Sequence, residues 1–467
     1  MLWFEVNRKG DISLTKQVYQ HIRQLILSEQ LTGQSRLPST RELANQIGVS
    51  RNTVLAAYEQ LLYEGYIYMK EKSGTYVTPG IALQMESPKV VEVLNEQQRI
   101  QEEIIDFRAA HPAMDHFPRR VWGKLVKEIC YDIDNQIFGY GNPSGDEKLQ
   151  ISLANYLLRT RGVKCHPNQI VITSGATQGL YLITRLLDGK ENSIAVEDPV
   201  TDEMRGIFLQ AGAKVLPIPM DEEGIVPGKL PRNYAPNFIF VIPSHQFPTG
   251  ITLSIQRRIQ LVEYAREMGC YIVEDDYDSE FTYEGTAVSS MQSLDSNKVI
   301  YVGTFSKILS PAIRIGYVVL PPALIKPFQT LKWYADRHTS TIEQLAMVRF
   351  IEEGYLDQHI RKMKRIYKRR RAALVKELKQ HFPYCHIVGE AAGMHLVVEF
   401  KQIQFNKAVL DKLNAACVQV YPVEHYSLKK GSYQNQIVLG YGSLTEEQIR
   451  EGVLRIAAAL QEFAQKQ

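Results

Sequence analysis

Between residues 169 and 302 the sequence repeats one pattern: a short run of β-branched and aromatic residues, a turn, then a stretch with helical spacing. Strand signals fall at 169–173, 194–196, 214–217, 238–242, 271–274 and 299–302, with helical signals from Leu180, near 201–211 and near 254–268. Alternation of this kind predicts an α/β unit, a mostly parallel sheet with helices on both faces, because each parallel crossover must carry the chain back over the sheet. In such sheets ligands gather at the carboxyl ends of the strands. Further strand signals at 395–400, 418–422 and 436–439 alternate with helices near 405–416 and 445–464, which predicts a smaller α+β lobe.

Chemistry collects at those strand ends. The run Val302-Gly303-Thr304-Phe305-Ser306-Lys307, followed by Ile313-Arg314-Ile315-Gly316-Tyr317, brings hydroxyls, a lysine and an arginine to the end of one strand. A lysine partly desolvated there has a neutral amine often enough to attack an aldehyde, and Thr304 and Arg314 suit a phosphate. These residues point to pyridoxal 5′-phosphate on Lys307 as a Schiff base. A second strand runs into Ser174-Gly175-Ala176-Thr177, a strand-to-helix turn whose free N–H groups suit phosphate, with the Thr177 hydroxyl beside them. A third runs into Glu274-Asp275-Asp276-Tyr277-Asp278. Clustered carboxylates suit Mg²⁺ or Ca²⁺. Beside a cofactor lysine they serve another end, since a carboxylate keeps a pyridine nitrogen protonated. Asp275 is expected in that role, and Tyr277 is expected to hydrogen-bond near the ring oxygen or the lysine.

The first eighty residues carry different signals. An amphipathic helix is expected over 15–31, with Val18, Ile22, Leu25 and Ile26 on one face. Ser39 and Glu42 spell a capping box for a helix running to Gln46, Gly48 permits a tight turn, and Ser50 caps a next helix with Val54, Ala57, Leu61 and Leu62 inward. Two helices joined this way form a helix-turn-helix, whose second helix enters the DNA major groove. Alternation over 66–77 around Ser73-Gly74 adds a hairpin wing. The double-stranded DNA contacts expected are Arg41, Ser50, Arg51, Asn52, Thr53, Tyr58, Lys72 and Gly74. A small helical protein-interaction module is the alternative.

At 467 residues the chain is too long for one core. The expected division is a DNA-binding domain over 1–79, a linker over 80–104 rich in Gln and Glu, and a large domain over 105–467. The 54 Lys and Arg nearly balance 51 Asp and Glu, so any basic surface is local. The densest is Arg361-Lys362-Met363-Lys364-Arg365-Ile366-Tyr367-Lys368-Arg369-Arg370-Arg371, an amphipathic helix whose cationic face is either solvated or laid along phosphates. Five scattered cysteines argue against a zinc site or a disulfide framework, and no metal is expected. No apolar run reaches the ~18 residues of a membrane span, so a cytoplasmic protein is expected.

The segments 38–44, 49–54 and 74–77 resemble the GntR superfamily of winged-helix regulators. The segments 174–177, 243–250, 274–277 and 304–314 resemble fold type I aminotransferases, and the two together resemble the MocR/GabR-type transcriptional regulators over essentially the full chain. The resemblance implies a pyridoxal phosphate domain that senses an amine-containing small molecule by external aldimine formation at Lys307, with at most weak transaminase activity. It also implies a head-to-tail homodimer, Tyr140 reaching the neighbouring subunit's cofactor phosphate, and His245, Ala176 and Thr177 among the cofactor contacts. Three departures stand out. Phe247 replaces an asparagine before Pro-Thr-Gly, Val200 and Thr201 replace a glycine and a tyrosine, and Val438 replaces the arginine that clamps a substrate carboxylate. The effector is therefore expected not to be a simple amino acid held by that clamp, or to be gripped by a different cation. A genuine aminotransferase and a regulator sensing pyridoxal phosphate itself are the alternatives.

Overall fold

The computed structural model describes residues 4–8, 10–81, 104–132, 134–189, 192–285 and 288–464. Most of the expected linker, residues 82–103, lies outside them. The chain divides into two compact units, Met1–Arg99 and Ile100–Gln467.

The first unit contains helices α1 (Leu14–Leu27), α2 (Thr40–Ile47) and α3 (Arg51–Tyr63), then strands β1 (Ile67–Lys70) and β2 (Gly74–Val77). Val18, Ile22, Leu43, Val54, Ala57 and Leu61 are fully or almost fully buried together with Ile67 and Val77. Leu62, expected inward, is only half-buried. The start of α2 is fixed on both sides: Glu42 N–H donates to Ser39 Oγ (3.3 Å) and Ser39 N–H to Glu42 Oε2 (2.8 Å). Ser50 Oγ accepts from Thr53 N–H at 3.1 Å and starts α3. Each cap contributes about 1 kcal/mol. The wing is an antiparallel hairpin in which Ile67 faces Val77 and Lys70 faces Gly74.

The second unit is built on an eight-stranded sheet. Its strands are β4 (Ile170–Thr173), β5 (Ser193–Asp198), β6 (Lys214–Asp221), β7 (Gly224–Ile225), β8 (Phe238–Val241), β9 (Tyr271–Asp276), β10 (Val299–Thr304) and β11 (Gly316–Val319). The order across the sheet is β4-β11-β10-β9-β8-β5-β6-β7. The run β10-β9-β8-β5-β6 is parallel throughout, while β11 is antiparallel to both neighbours and β7 to β6. Strands β4, β5, β8, β10 and β11 are buried at every position, as unbroken apolar runs covered on both faces require. One helix starts earlier than expected: the one after β4 is Ala176–Leu186, because Gly175, at φ 92°, turns the chain straight into it.

The small lobe holds β12 (His386–Val388), β13 (His395–Glu399), β15 (Tyr421–Pro422) and β16 (Gln436–Gly440), in a four-stranded sheet ordered β12-β13-β16-β15. The single strand expected over 418–422 is split. β14 (Val418–Gln419) pairs in parallel with β3 (Ile105–Asp106), and β15 (Tyr421–Pro422) pairs with β16. That division ties residues 105–108 to the lobe. The cationic run lies in the helix Tyr355–His381, with Met363, Ile366, Tyr367, Leu374 and Leu378 buried. Arg370 is buried and donates to the Gly442 carbonyl, and Arg371 bonds to Glu284 (2.8 Å), so the end of the run is structural. Among the described residues no helix is long and apolar enough to cross a membrane.

Candidate functional site

A cavity of about 480 Å³ opens at the carboxyl ends of β4, β9 and β10. Lys307, Asp275, Tyr277, Thr304, Arg314, Ala176 and Thr177 all line it, drawn together from positions far apart in the chain.

The acidic run resolves through the two-residue period of β9. Glu274 accepts from Ser290 Oγ (2.5 Å) and from the Met291 and Gln292 N–H groups (3.1 and 3.2 Å). Asp276 pairs with Arg161 at 2.6 Å and accepts from the Tyr301 hydroxyl at 2.6 Å. Asp275, on the alternate face, lines the cavity, and its Oδ1 has no hydrogen-bond partner. Burial, aided by Asp276 and opposed by Lys307, pushes its pKa up to about 7. A buried carboxylate with an unmet oxygen calls for a cationic donor.

Lys307 lies in the connection between β10 and β11. Burial pushes its pKa below the ordinary lysine value, while Glu203, then Asp275 and Asp278, pull it back up. Thr304 Oγ1 is linked to Ser306, accepting from its N–H at 3.1 Å. Arg314 sits in a left-handed conformation, φ 54°, that costs a non-glycine residue of order 1 kcal/mol. Its guanidinium donates to the Ser174 carbonyl. A Cβ on Gly175 would lie 2.9 Å from Arg314 Nη2, so glycine leaves the helix N-terminus open beside that cation. Hydroxyl, guanidinium and free N–H groups thus converge as an anion cradle.

Two expectations for this site need correction or qualification. His245 is not in the cavity wall. It is buried, its Nδ1 lies 3.2 Å from Asp278 Oδ2, and its ring packs on His395 with centroids 4.7 Å apart. Phe247 and Tyr277 form the wall instead, and the Tyr277 hydroxyl is spent on the His245 carbonyl at 3.1 Å. Tyr140 is 81% exposed, stacks edge-on against His338, and is not among the residues that line this chain's cavity. Val438 is fully buried in β16. Sequence inspection missed Arg108, Glu203 and Tyr426, all of which line the cavity. Glu203 has a local signal, since it follows the helix cap Thr201, whose Oγ1 accepts from Met204 N–H at 3.0 Å.

In the amino-terminal unit Arg41, Ser50, Arg51 and Asn52 are exposed around the α2–α3 turn, where Gly48 has φ 69°. Thr53 is half-buried, with its hydroxyl 2.8 Å from Ser50 Oγ. Lys72 is exposed at the wing turn, and Gly74 packs against Arg36, an exposed cation that the sequence patterns did not single out. Tyr58 is a correction. It is 3% exposed, and its hydroxyl donates to the Pro38 carbonyl at 2.9 Å, so it joins the core rather than a DNA contact.

The family model described as "Bacterial regulatory proteins, gntR family" matches residues 14–77, and "Aminotransferase class I and II" matches 102–456. The chain is 34% identical over 462 residues to the HTH-type transcriptional regulator YdeL of Bacillus subtilis, covering 97% of this chain and 98% of that one. It is 32% identical over 470 residues to the probable rhizopine catabolism regulatory protein MocR of Rhizobium meliloti, covering 97% and 95%. The chain belongs to the MocR/GabR-type regulators. Among solved structures, the multiple substrate aminotransferase of Thermococcus profundus matches with a TM-score of 0.72 at 28% identity, covering 82% of this chain and 97% of the other.

A MocR/GabR-type regulator joins a DNA-binding winged helix to an aminotransferase-like domain of fold type I, and its cofactor is pyridoxal 5′-phosphate. The residues of this cavity fit that group: a desolvated lysine, a buried carboxylate with an unmet oxygen, and an anion cradle face the same space.

Proposed function

We propose that this regulator senses an amine-containing small molecule, whose amine takes the place of Lys307 on the cofactor aldehyde and thereby alters DNA binding. Bound in the cavity, pyridoxal phosphate supplies an aldehyde that accepts amines and a ring that withdraws electrons. Lys307 would hold the aldehyde carbon, Asp275 the ring nitrogen, and Arg314, Thr304, Ala176 and Thr177 the phosphate. The observation that carries this is Asp275, buried with a free oxygen in the same cavity as a desolvated Lys307. A ligand can regulate only if it binds the DNA-competent and incompetent arrangements with different affinities.

Domain boundaries at 1–79, 80–104 and 105–467, a head-to-tail homodimer in the cytoplasm, and Tyr140 reaching the partner's cofactor belong to the same proposal. The exposure of Tyr140 supports the last of these. Arg41, Ser50, Arg51, Asn52, Thr53, Lys72 and Gly74 would make the DNA face.

Turnover as a genuine aminotransferase is the second possibility, favoured by 30% identity to an aromatic-amino-acid aminotransferase of Thermococcus litoralis. Phe247 in the wall and Val438 in the core count against it. The deciding experiment compares wild type with Lys307→Ala. Wild type should hold a visible absorbance band through dialysis and the variant should not; a persistent band in the variant would remove Lys307 from the proposal. Sustained conversion of an amino acid with a keto-acid acceptor would establish the enzyme instead. A DNA response to cofactor alone, unchanged by amines, would make pyridoxal phosphate itself the signal.

A further inference from the structure

Arg108 lines the cavity but has no part in the cofactor arrangement proposed above. Its backbone is stapled between two strands of the small lobe: Phe107 N–H donates to the Gln419 carbonyl at 3.0 Å, and Gly440 N–H donates to the Phe107 carbonyl at 2.8 Å. A Cβ on Gly440 would lie 2.3 Å from the Arg108 carbonyl oxygen, so only glycine lets β16 approach this closely. The side chain is oriented as firmly. The Tyr421 hydroxyl donates to Asp106 Oδ1 at 2.8 Å, which turns its lone pairs toward Arg108 Nε, the donor at 3.0 Å. The guanidinium lies 5.6 Å from the Tyr421 ring centroid. Asp106 Oδ2 lies 3.7 Å from Nε. The two terminal nitrogens of Arg108 have no hydrogen-bond partner among the described residues, and the side chain is 51% exposed.

Tyr421 stands directly across from Val438 in the β15–β16 register. The strand position that carries a carboxylate-clamping arginine in the related pattern is apolar here, and the tyrosine opposite it holds another arginine at the cavity. We propose that Arg108 is the anchor for a carboxylate on the effector, which therefore carries an amine at one end and an acid at the other. The inference rests on the amine-sensing function proposed above. The end-on pair of guanidinium nitrogens offers two parallel hydrogen bonds to a carboxylate, the arrangement that a planar fork favours. Glu203 lines the same cavity, and its charge acts on Lys307, which suits it to the amine end of the same ligand.

The test uses full-length holoprotein titrated with ω-amino acids, n-alkylamines of equal chain length and the matching α,ω-diamines, read by the visible band of the bound cofactor. For at least one chain length the amino acid should shift the band at a concentration about ten-fold or more below that of the alkylamine, as a bidentate charged contact predicts. In Arg108→Ala that ratio should collapse toward one. Arg108→Lys, which keeps the charge but loses the fork, should fall between. Equal response to amino acids and alkylamines, a preference for diamines, or an undiminished ratio in Arg108→Ala overturns the carboxylate anchor while leaving amine sensing standing. A band that no amine shifts removes the amine-sensing proposal and this inference with it.

Discussion

His359 donates its Nε2–H to the carbonyl of Ile308 across 3.0 Å, so the helix Tyr355–His381 grips the residue that follows Lys307. The ring is buried, and burial lowers its pKa to about 4. An unfolded histidine titrates near 6.5, so between about pH 6.5 and 4 the unfolded chain takes a proton that the folded chain refuses. Stability from this site is full above that window and is lost as pH falls through it, by about 3 kcal/mol in all. His359→Gln keeps an N–H donor and cannot titrate. Urea denaturation at pH 7 and pH 4.5 should show the variant losing less stability than wild type; parallel losses would show that the ring titrates normally.

Asp275 offers a second measurement. Asp275→Asn removes a desolvated charge from the apoprotein, so the apo melting temperature should hold or rise. It also removes the proposed partner of the cofactor's ring nitrogen, and a charge-assisted hydrogen bond of about 1.5–3 kcal/mol corresponds to a roughly ten- to hundred-fold loss of affinity. Equilibrium dialysis of pyridoxal phosphate against both proteins checks this. Unchanged affinity would detach Asp275 from the ring.

Gly175→Ala tests the anion cradle. The new methyl meets Arg314 Nη2 at 2.9 Å, at a backbone φ of 92° that alanine adopts only with strain. Folding stability should drop by about 1 kcal/mol or more, and cofactor affinity should drop beyond what lost stability explains. A variant that binds pyridoxal phosphate as well as wild type would place the phosphate elsewhere.

On the DNA side, Arg51→Ala and Tyr58→Phe should separate. With duplexes selected from a random-sequence pool, Arg51→Ala should weaken binding and, if the contact is to phosphate, reduce the salt slope by about one. Tyr58→Phe loses the bond to Pro38 and should cost about 1 kcal/mol of stability with little effect on DNA affinity in the folded protein. The reverse pattern would restore Tyr58 to the interface and withdraw Arg51.

Much of this was visible in the chain because it is written locally. The strand periods, both serine caps of the helix-turn-helix and the lysine segment each occupy a few consecutive residues, and local propensity decides them. Tyr58 was legible and misassigned: with Val54, Ala57 and Leu61 it completes one helical face, and that spacing marks core. His245 was harder, since the irregular segment 243–250 has no period that separates inward from outward positions. Arg108 was out of reach. Its importance depends on residues 105–108 lying beside strands more than 300 positions later, a contact that the two-residue strands β3 and β14 barely signal.

The alternation along β9 has a consequence for how this pocket tolerates change. Successive carboxylates there serve opposite faces, one lining the cavity and its neighbours neutralising Arg161 and capping the turn at Ser290. Losing or gaining a single residue within that strand would exchange the two sets at once, stranding a guanidinium in the interior and presenting the wrong acid to the cavity. Substitutions can be absorbed one by one at this edge, but changes of length cannot.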